Sequence, residues 1–148
     1  MSVDMSARQT SASRIVTASP EQIFDVLTDP SKHSLIDGSG TVQSTDRSER
    51  LKLGSKFGMS MKFSFLPYRV GSTVVEFEED RLIAWCHFGK HRWRYELEPQ
   101  EDGTTKVTET FDWSTSLAPK VIEIAGYPKR HVGSIEGTLD NLVELFAE

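Results

Sequence analysis

The sequence predicts an α+β protein in which a curved, seven-stranded antiparallel sheet wraps around a long C-terminal helix. Two observations predict the sheet. Apolar and charged residues alternate along several runs with the period of two that is typical of strands, and short turn signals separate these runs. A third observation predicts the helix, because apolar residues recur at spacings of three and four from Val132 to Phe146. That stripe needs a large apolar partner, so we expect the helix to pack against the aromatic side of the sheet.

The elements follow in order along the chain. We expect a disordered tail over residues 1–9 and a single domain over residues 10–148, with a first strand at residues 11–18. Ser19 and Gln22 form a capping box for a helix that ends at Pro30, and a second short helix runs to Leu35. Six more strands are predicted at residues 41–45, 55–65, 69–78, 82–88, 91–98 and 104–114, and two helices at residues 119–125 and from residue 128 onward.

Composition limits the function. A net charge of -5 with scattered basic residues argues against a nucleic-acid partner. No apolar run approaches the roughly 20 residues that span a bilayer, so we expect no membrane insertion. The polar N-terminus lacks a secretory signal and the lone Cys86 fits packing, so we expect a cytoplasmic location. Phosphate-loop, dinucleotide-binding, nucleophile-elbow and H-E-x-x-H motifs are absent from the sequence, which implies no cofactor.

Large apolar side chains predict one wall of a pocket. They alternate with small or polar residues along the third predicted strand and recur on the later strands. The same residues could simply fill the core, since cavity walls are core residues. The candidate ligand-binding residues are Phe57, Met59, Met61, Phe63, Trp85, Trp93, Phe111, Trp113 and Ile36.

Glu109 is the best single candidate for polar chemistry. If the turn at residues 99–103 places Leu97 opposite Val107, then Tyr95 lies opposite Glu109 on the aromatic side. Burial raises the pKa of a carboxyl group, and such a group beside a phenol can exchange protons near neutrality. Two alternatives remain open: a bulge could turn Glu109 to water, or Tyr95 or Arg94 could satisfy it as a structural partner.

The same register pairs two further sets of residues. It places Trp93 opposite Phe111 on the aromatic side, and Arg92 opposite Asp112 on the solvent side.

His87 is a further candidate for proton transfer, with Glu109 and Tyr95. A two-residue loop between the fifth and sixth predicted strands would turn Ala84, Cys86 and Phe88 toward the concave side. A three-residue loop would turn Trp85 and His87 there instead, and we favour this second arrangement.

The other histidines and two glycines carry weaker signals. The His87 and His91 spacing spans a turn rather than a helical face, so we expect no metal site. We expect His33 and His131 to be exposed polar residues. Gly133 and Gly137 are costly in a helix, which suggests that a strand or ligand approaches them closely.

Three stretches carry a resemblance to the START-like, or SRPBCC, superfamily: residues 13–40, residues 83–114 and residues 135–146. The chain most resembles the bacterial polyketide cyclase/dehydrase-like branch. The resemblance implies the helix-grip fold, a START-like ligand-binding domain over residues 10–148, and a cavity between sheet and long helix for a lipid, steroid or polyketide. It transfers no active site, because no short catalytic motif runs through the superfamily.

Three candidate functions follow from these observations. The first is binding of a small hydrophobic molecule in that cavity. The second is an enzyme of the cyclase/dehydrase type, in which Glu109 with Tyr95 or His87 moves protons on a substrate held by the same walls. The third is an interaction module with a filled core. Oligomeric state and ligand identity stay open.

Overall fold

The structure, a computed structural model, describes residues 2–4, 7–37, 42–45, 49–63, 66–87, 89–124 and 126–147. Within those ranges it does not describe the side chains of residues 2–4, 34, 42–45, 59, 61–63, 69, 70, 127, 129 and 130. The described strands are β1 (Ser2–Asp4), β2 (Gln9–Val16), β3 (Val42–Thr45), β4 (Lys56–Phe63), β5 (Leu66–Glu78), β6 (Leu82–Cys86), β7 (Arg92–Pro99) and β8 (Thr105–Asp112). The described helices are α1 (Pro20–Leu27), α2 (His33–Ile36), α3 (Pro119–Ile124) and α4 (Tyr127–Leu145), with a 3-10 turn at Pro30–Lys32.

Over the described residues, the strands form one antiparallel sheet in the order β1-β2-β8-β7-β6-β5-β4-β3. All seven predicted strands are present. The count of seven is wrong, because β1 adds an eighth strand along the edge of β2, where Val3 pairs with Thr10. The expected disorder of residues 1–9 is therefore wrong for the part of the tail that the structure describes. Pairing satisfies backbone groups of an otherwise open edge and needs no side-chain pattern that a sequence could display.

The first helix forms as predicted. The Ser19 hydroxyl accepts a hydrogen bond from the Gln22 backbone N–H at 3.3 Å, and Gln22 Oε1 accepts one from the Ser19 backbone at 3.0 Å. These bonds satisfy two N–H groups that a helix start leaves without partners. The helix buries the apolar stripe of Ile23, Phe24, Val26 and Leu27.

The predicted strands at residues 55–65 and 69–78 leave residues 66–68 as a turn between them, and this is wrong, because β5 already begins at Leu66 and Pro67 pairs with Lys62 of β4. Proline has no N–H to give to a second neighbouring strand. The pairing with β6 begins only at Thr73, so Pro67 lies where β5 is bonded to β4 alone.

Helix α4 packs against β2 and β8 and is the central element of the core. Its residues Ile135, Leu139 and Leu142 are fully buried, in the same cluster as Phe111 and Trp113. The predicted packing of the C-terminal helix on the aromatic side is confirmed, and the arrangement is consistent with the helix-grip fold. None of the helices that the structure describes has the length and apolarity to cross a membrane.

Side-chain hydrogen bonds also join β2 to α4. Arg14, on the inner side of β2, donates to Asp140 at 3.1 Å and to Glu136 at 3.4 Å. No strand approaches Gly133 closely, since a Cβ built there would meet no protein atom within 4 Å, so only the ligand half of that expectation stays a prediction.

Candidate functional site

A row of aromatic side chains crosses the concave face of the sheet. Phe111 of β8 pairs with Trp93 of β7, and Trp93 pairs with Trp85 of β6. Thr10 of β2 and Val74 of β5 complete the row at its two ends. The ring centroids of Trp93 and Phe111 are 4.8 Å apart. Registers across four neighbouring strand pairs therefore bring together aromatics that are far apart in the chain.

The pairing of Trp85 with Trp93 decides which face of β6 is concave. Cys86 pairs with Arg92, so residues 87–91 form the loop. The loop is longer than either length that we considered, but an odd number of residues keeps Trp85 on the Trp93 side, because side chains alternate along strands. The favoured facing of Trp85 is confirmed.

Glu109 and Tyr95 lie in the next row, one side-chain step along the strands. Glu109 pairs with Tyr95 on one side and with Ala12 on the other, and Tyr95 pairs with Ile83. The predicted pairs of Leu97 with Val107, Tyr95 with Glu109, Trp93 with Phe111 and Arg92 with Asp112 are all present. Glu109 is only 2% exposed. No bulge turns it to water.

Tyr95 and Glu109 face each other across the paired strands, and each side chain shifts the pKa of the other. Burial raises the pKa of Glu109 well above its usual range; the nearby Tyr95 hydroxyl opposes this shift, and the negative charge of Asp37 adds to it. Burial also raises the pKa of Tyr95, reinforced by the neighbouring Glu109. The second carboxyl oxygen, Glu109 Oε1, is buried and has no hydrogen-bond partner among the described residues. The carboxyl group can therefore make one further hydrogen bond through Oε1.

Arg94 does not satisfy Glu109, which removes one of the alternatives. It lies on the opposite face of the sheet, where it donates to Glu76 at 2.9 and 2.8 Å and to Asp112 at 3.1 Å. Arg92 joins the same network through Glu76 at 2.7 Å. The hydrogen bond from Arg94, the largest of the effects that lower it, keeps the pKa of Glu76 below its usual range.

His33 is buried, so its expected exposure is wrong. Its Nε2 lies 2.9 Å from the Leu27 carbonyl oxygen, which can only accept, so Nε2 carries the proton. The ring stacks on Trp85 at a centroid distance of 5.0 Å and meets Phe57 edge-on at 5.6 Å. Burial lowers the pKa of His33, and its Nδ1 has no partner within the described part of the chain. A neutral histidine with a free acceptor thus borders the aromatic row.

The burial of His33 had a signal in the sequence. Pro30, His33 and Ile36 follow at spacings of three through two short helical turns, and all three are buried. The spacing therefore indicates that the three residues share one helical face, but the polarity of histidine favoured the prediction that His33 is exposed.

His131 of α4 is half-buried, so its expected exposure is wrong as well. Its ring meets Phe111 at 4.5 Å and Trp93 at 4.8 Å between centroids, rather than facing solvent. His91 meets Phe111 at 5.5 Å and His87 at 5.5 Å. All four histidines of the chain therefore lie along the aromatic row or at its end.

His87 lies across the aromatic row from Glu109. It follows Trp85 by two residues, whereas the row of Glu109 and Tyr95 lies on the other side of Trp85. Its Nδ1 is 2.9 Å from the Ser72 hydroxyl. Burial, followed by the proximity of His91, lowers the pKa of His87 to about 4. The structure thus brings Glu109 and Tyr95 into contact and places His87 in a separate position.

The other predicted wall residues are placed as follows. Phe57 is buried, and its ring meets Trp85 edge-on at a centroid distance of 5.7 Å. Ile36 is also buried, and its backbone carbonyl accepts a hydrogen bond from the Asn141 side chain of α4. Trp113 is fully buried, stacks on Phe111 and donates from Nε1 to Glu123 of α3 at 2.7 Å. The side chains of Met59, Met61 and Phe63 lie outside the described residues.

Sequence reasoning missed Asp37. It follows α2 and acts electrostatically on His33, Tyr95 and Glu109. A polar residue between a short helix and a Gly-Ser-Gly sequence carried no signal for this proximity. Across the described residues, no group of three or more His, Cys, Asp or Glu side chains is arranged to hold a metal ion.

Comparisons with known proteins agree with this architecture. An uncharacterized protein of Mycobacterium tuberculosis is 37% identical over 150 residues, which cover 98% of this chain and 67% of that protein. A solution structure from Arthrobacter aurescens superposes with a TM-score of 0.73 at 16% identity, covering 95% of this chain and 89% of the other. A crystal structure from Mycobacterium smegmatis gives 0.70 at 13% identity, covering 97% and 94%. At these identities the two structures show a shared fold alone.

The match of a family covers nearly the whole chain. The polyketide cyclase / dehydrase and lipid transport family, which is of the SRPBCC type, matches residues 7–147. With the sheet, the C-terminal helix and the aromatic concave face in place, the chain belongs to this family.

Proposed function

We propose that the protein binds a small, largely apolar molecule between the concave face of the sheet and α4, in a START-like domain over residues 10–148. The observation that carries this is the buried Glu109 Oε1 without a partner beside the aromatic row. A buried acceptor left unsatisfied costs about 1–3 kcal/mol. A polar group of a bound ligand would recover that free energy.

The apolar walls supply most of the affinity in this proposal. Removal of apolar surface from water contributes about 25 cal/mol per Å². The proposed walls are Phe57, Met59, Met61, Phe63, Trp85, Trp93, Phe111, Trp113 and Ile36. Glu109, Tyr95 and His33 then orient the ligand through the few polar contacts that such sites use.

The test is native mass spectrometry of the protein purified from its own cells, followed by denaturation to identify any released small molecule. A stoichiometric apolar compound is the expected result. The proposal would be contradicted if the protein were empty and its tryptophan fluorescence did not change on addition of lipids, steroids or polyketides. That result would favour an interaction module with a filled core.

A second candidate is an enzyme of the cyclase/dehydrase type. The contact of Tyr95 with a Glu109 carboxyl of raised pKa favours it, because such a carboxyl can deliver and recover a proton near neutral pH. Glu109 would exchange protons with a poly-carbonyl substrate, with Tyr95 holding its orientation. His87 would act from the other side of the aromatic row.

Glu109→Gln tests this second candidate on any compound identified by mass spectrometry. Turnover should be lost while binding stays nearly intact. Retained turnover in the variant would remove the assignment, and binding alone would remain.

A further inference from the structure

We infer that His33 selects the ligand of the proposed site, because its Nδ1 accepts a hydrogen bond from a hydroxyl group of the bound molecule. This inference rests on the proposed function and narrows its ligand class to apolar molecules that carry a hydroxyl group. It follows from the position of His33, from the bond that its other ring nitrogen makes, and from the apolar groups around its ring.

His33 of α2 contributes its ring to the aromatic wall of the proposed site. The ring stacks on Trp85 of β6 at a centroid distance of 5.0 Å and an interplanar angle of 21°. It meets Phe57 of β4 edge-on at 5.6 Å. Only 4% of the residue is exposed. The imidazole therefore lies against the concave face of the sheet, although the helix that carries it is not part of the sheet.

The two ring nitrogens of His33 have different roles. Nε2 lies 2.9 Å from the Leu27 carbonyl oxygen and donates to it. The neutral ring then has no proton on Nδ1, which can only accept a hydrogen bond. A charged ring would bury a second N–H without an acceptor, so this environment favours the neutral ring. His33 thus offers a ligand one acceptor of fixed identity.

That acceptor is unsatisfied within the protein. His33 Nδ1 is buried and has no hydrogen-bond partner among the described residues. Most buried polar side-chain atoms do have a partner, and leaving one without a partner destabilises the folded state. A ligand that enters between α2 and the sheet takes the place of the groups that shield this atom, and its hydroxyl group supplies the missing donor.

Two other buried atoms along the aromatic row also lack a partner within the described part of the chain, Glu109 Oε1 and His91 Nδ1. A carboxyl oxygen accepts when ionised and can donate when protonated, so Glu109 does not discriminate a donor from an acceptor on the ligand. His91 is half-buried in the loop between β6 and β7. Among these three, His33 combines burial with a tautomer that a backbone carbonyl fixes.

The surroundings of His33 decide the kind of donor. The rings of Trp85 and Phe57 contact the imidazole, so a charged donor would lose its hydration and find only a neutral acceptor at Nδ1. A neutral hydroxyl group loses far less on burial. A ketone, an ether or a carboxylate has no proton to donate. The bound molecule is therefore an alcohol, a phenol or an enol with an apolar body.

The experiment compares 1-decanol with methyl nonyl ether, a linear isomer of the same length that has an oxygen but no O–H. Dissociation constants are measured by titration of the tryptophan fluorescence at neutral pH, at concentrations where both probes are dissolved. We expect the wild type to bind 1-decanol about tenfold more tightly than the ether, since only the alcohol satisfies the buried acceptor. Burial of the hydroxyl without a partner would instead favour the ether.

Two substitutions at one position assign the preference to Nδ1. His33→Gln keeps an amide N–H for the Leu27 carbonyl but loses the acceptor at Nδ1, so the two probes should bind within about twofold of each other. His33→Asn places an amide oxygen near Nδ1 and loses the bond to Leu27, so a preference of about threefold or more should remain. Both variants lose the stacked imidazole, and a purely structural role would therefore change them alike.

Glu109→Gln and His91→Gln change the two other unsatisfied groups. In both variants the ratio of the two dissociation constants should stay near the wild-type value. Far-UV circular dichroism verifies that each variant is folded.

The outcomes separate this inference from the proposed function. Equal or tighter binding of the ether by the wild type would overturn the hydroxyl group and leave hydrophobic binding intact. A preference that survives His33→Gln, or that Glu109→Gln or His91→Gln abolishes, would overturn the role of His33.

If the His33 variants do not fold, nitrogen-15 NMR of the wild type decides. The Nδ1 resonance of His33 should move upfield when 1-decanol is added and should stay in place with the ether. An Nδ1 resonance that does not move with 1-decanol would overturn the inference.

The natural ligand gives an independent outcome. A co-purified compound without a hydroxyl group overturns this inference alone. Absence of any compound, with neither probe bound by the wild type, contradicts the proposed function itself.

Discussion

Tyr95 and Glu109 pair directly across β7 and β8, and the two buried side chains shift each other's pKa. Burial raises the pKa of the Glu109 carboxyl well above its usual range. The aromatic row lies next to this pair along the strands, and Ala12 of β2 pairs with Glu109 on the side away from Tyr95. The pair places a buried carboxyl group and a phenol directly beside the aromatic row.

Glu109→Gln should change how stability depends on pH. Because burial raises the folded-state pKa of Glu109, the folded protein keeps a proton that the unfolded chain releases above about pH 4.5. Its contribution is fully present below that pH and is lost as pH rises toward the folded-state value. The variant should therefore become progressively more stable relative to the wild type as pH rises. Urea unfolding at pH 5 and pH 8 measures this, and a difference between the two proteins that does not change with pH would contradict it.

Trp93→Ala should weaken binding of an apolar probe such as 1-decanol. The indole lies half-buried in the middle of the aromatic row, so its loss removes contact area from the proposed wall. We expect at least a tenfold loss of affinity, on the order of 1.4 kcal/mol. Leu53→Ala is the control, because Leu53 is exposed outside the sheet. Unchanged affinity in a folded Trp93 variant would count against this wall.

His87 should stay neutral until the pH approaches 4. Burial is the main cause of its low pKa, and His91 adds to it. An NMR titration of the histidine ring carbons should give a midpoint near 4, and His91→Gln should move that midpoint upward. A midpoint close to 6.5 in the wild type would show that the ring is solvated.

Gly133→Ala should stabilise the protein by about 1 kcal/mol, because alanine restricts the unfolded chain and the new methyl group meets no atom within 4 Å. Gly126 is the matched control. It precedes α4 with a φ of 77°, a left-handed conformation that costs other residues about 1–2 kcal/mol. Gly126→Ala should therefore destabilise. Thermal unfolding of both variants tests the pair, and a destabilised Gly133 variant would mean that a neighbour approaches the helix there.

Arg94→Met should destabilise the protein by about 2 kcal/mol, because the partly buried Glu76 and Asp112 lose their shared partner. The exposed pair of Arg81 and Glu78 provides the comparison. Arg81→Met should cost less than about 1 kcal/mol. Equal effects of the two substitutions in urea unfolding would argue against a cooperative network on the outer face.

The sequence predicted local structure and strand register well. The period of two and the turn at residues 99–103 were enough to place Tyr95 opposite Glu109, because alternation leaves few ways to pair two strands. The sequence also predicted the capping box at Ser19 and the apolar stripe of α4 correctly. Each of these features depends on residues that are close in the chain.

Features that depend on distant residues were decided only by the tertiary structure. β1 exists because β2 offers it an edge, and not because Ser2–Asp4 has a strand pattern. His33 is buried and His131 is half-buried because two helices that are far apart in the chain carry them onto the same aromatic row. The sequence by itself thus determined the fold class, the strand faces and the Tyr95–Glu109 pair. Long-range packing decided which polar groups are buried together with that pair, since burial depends on what covers a residue and not on its neighbours in the chain.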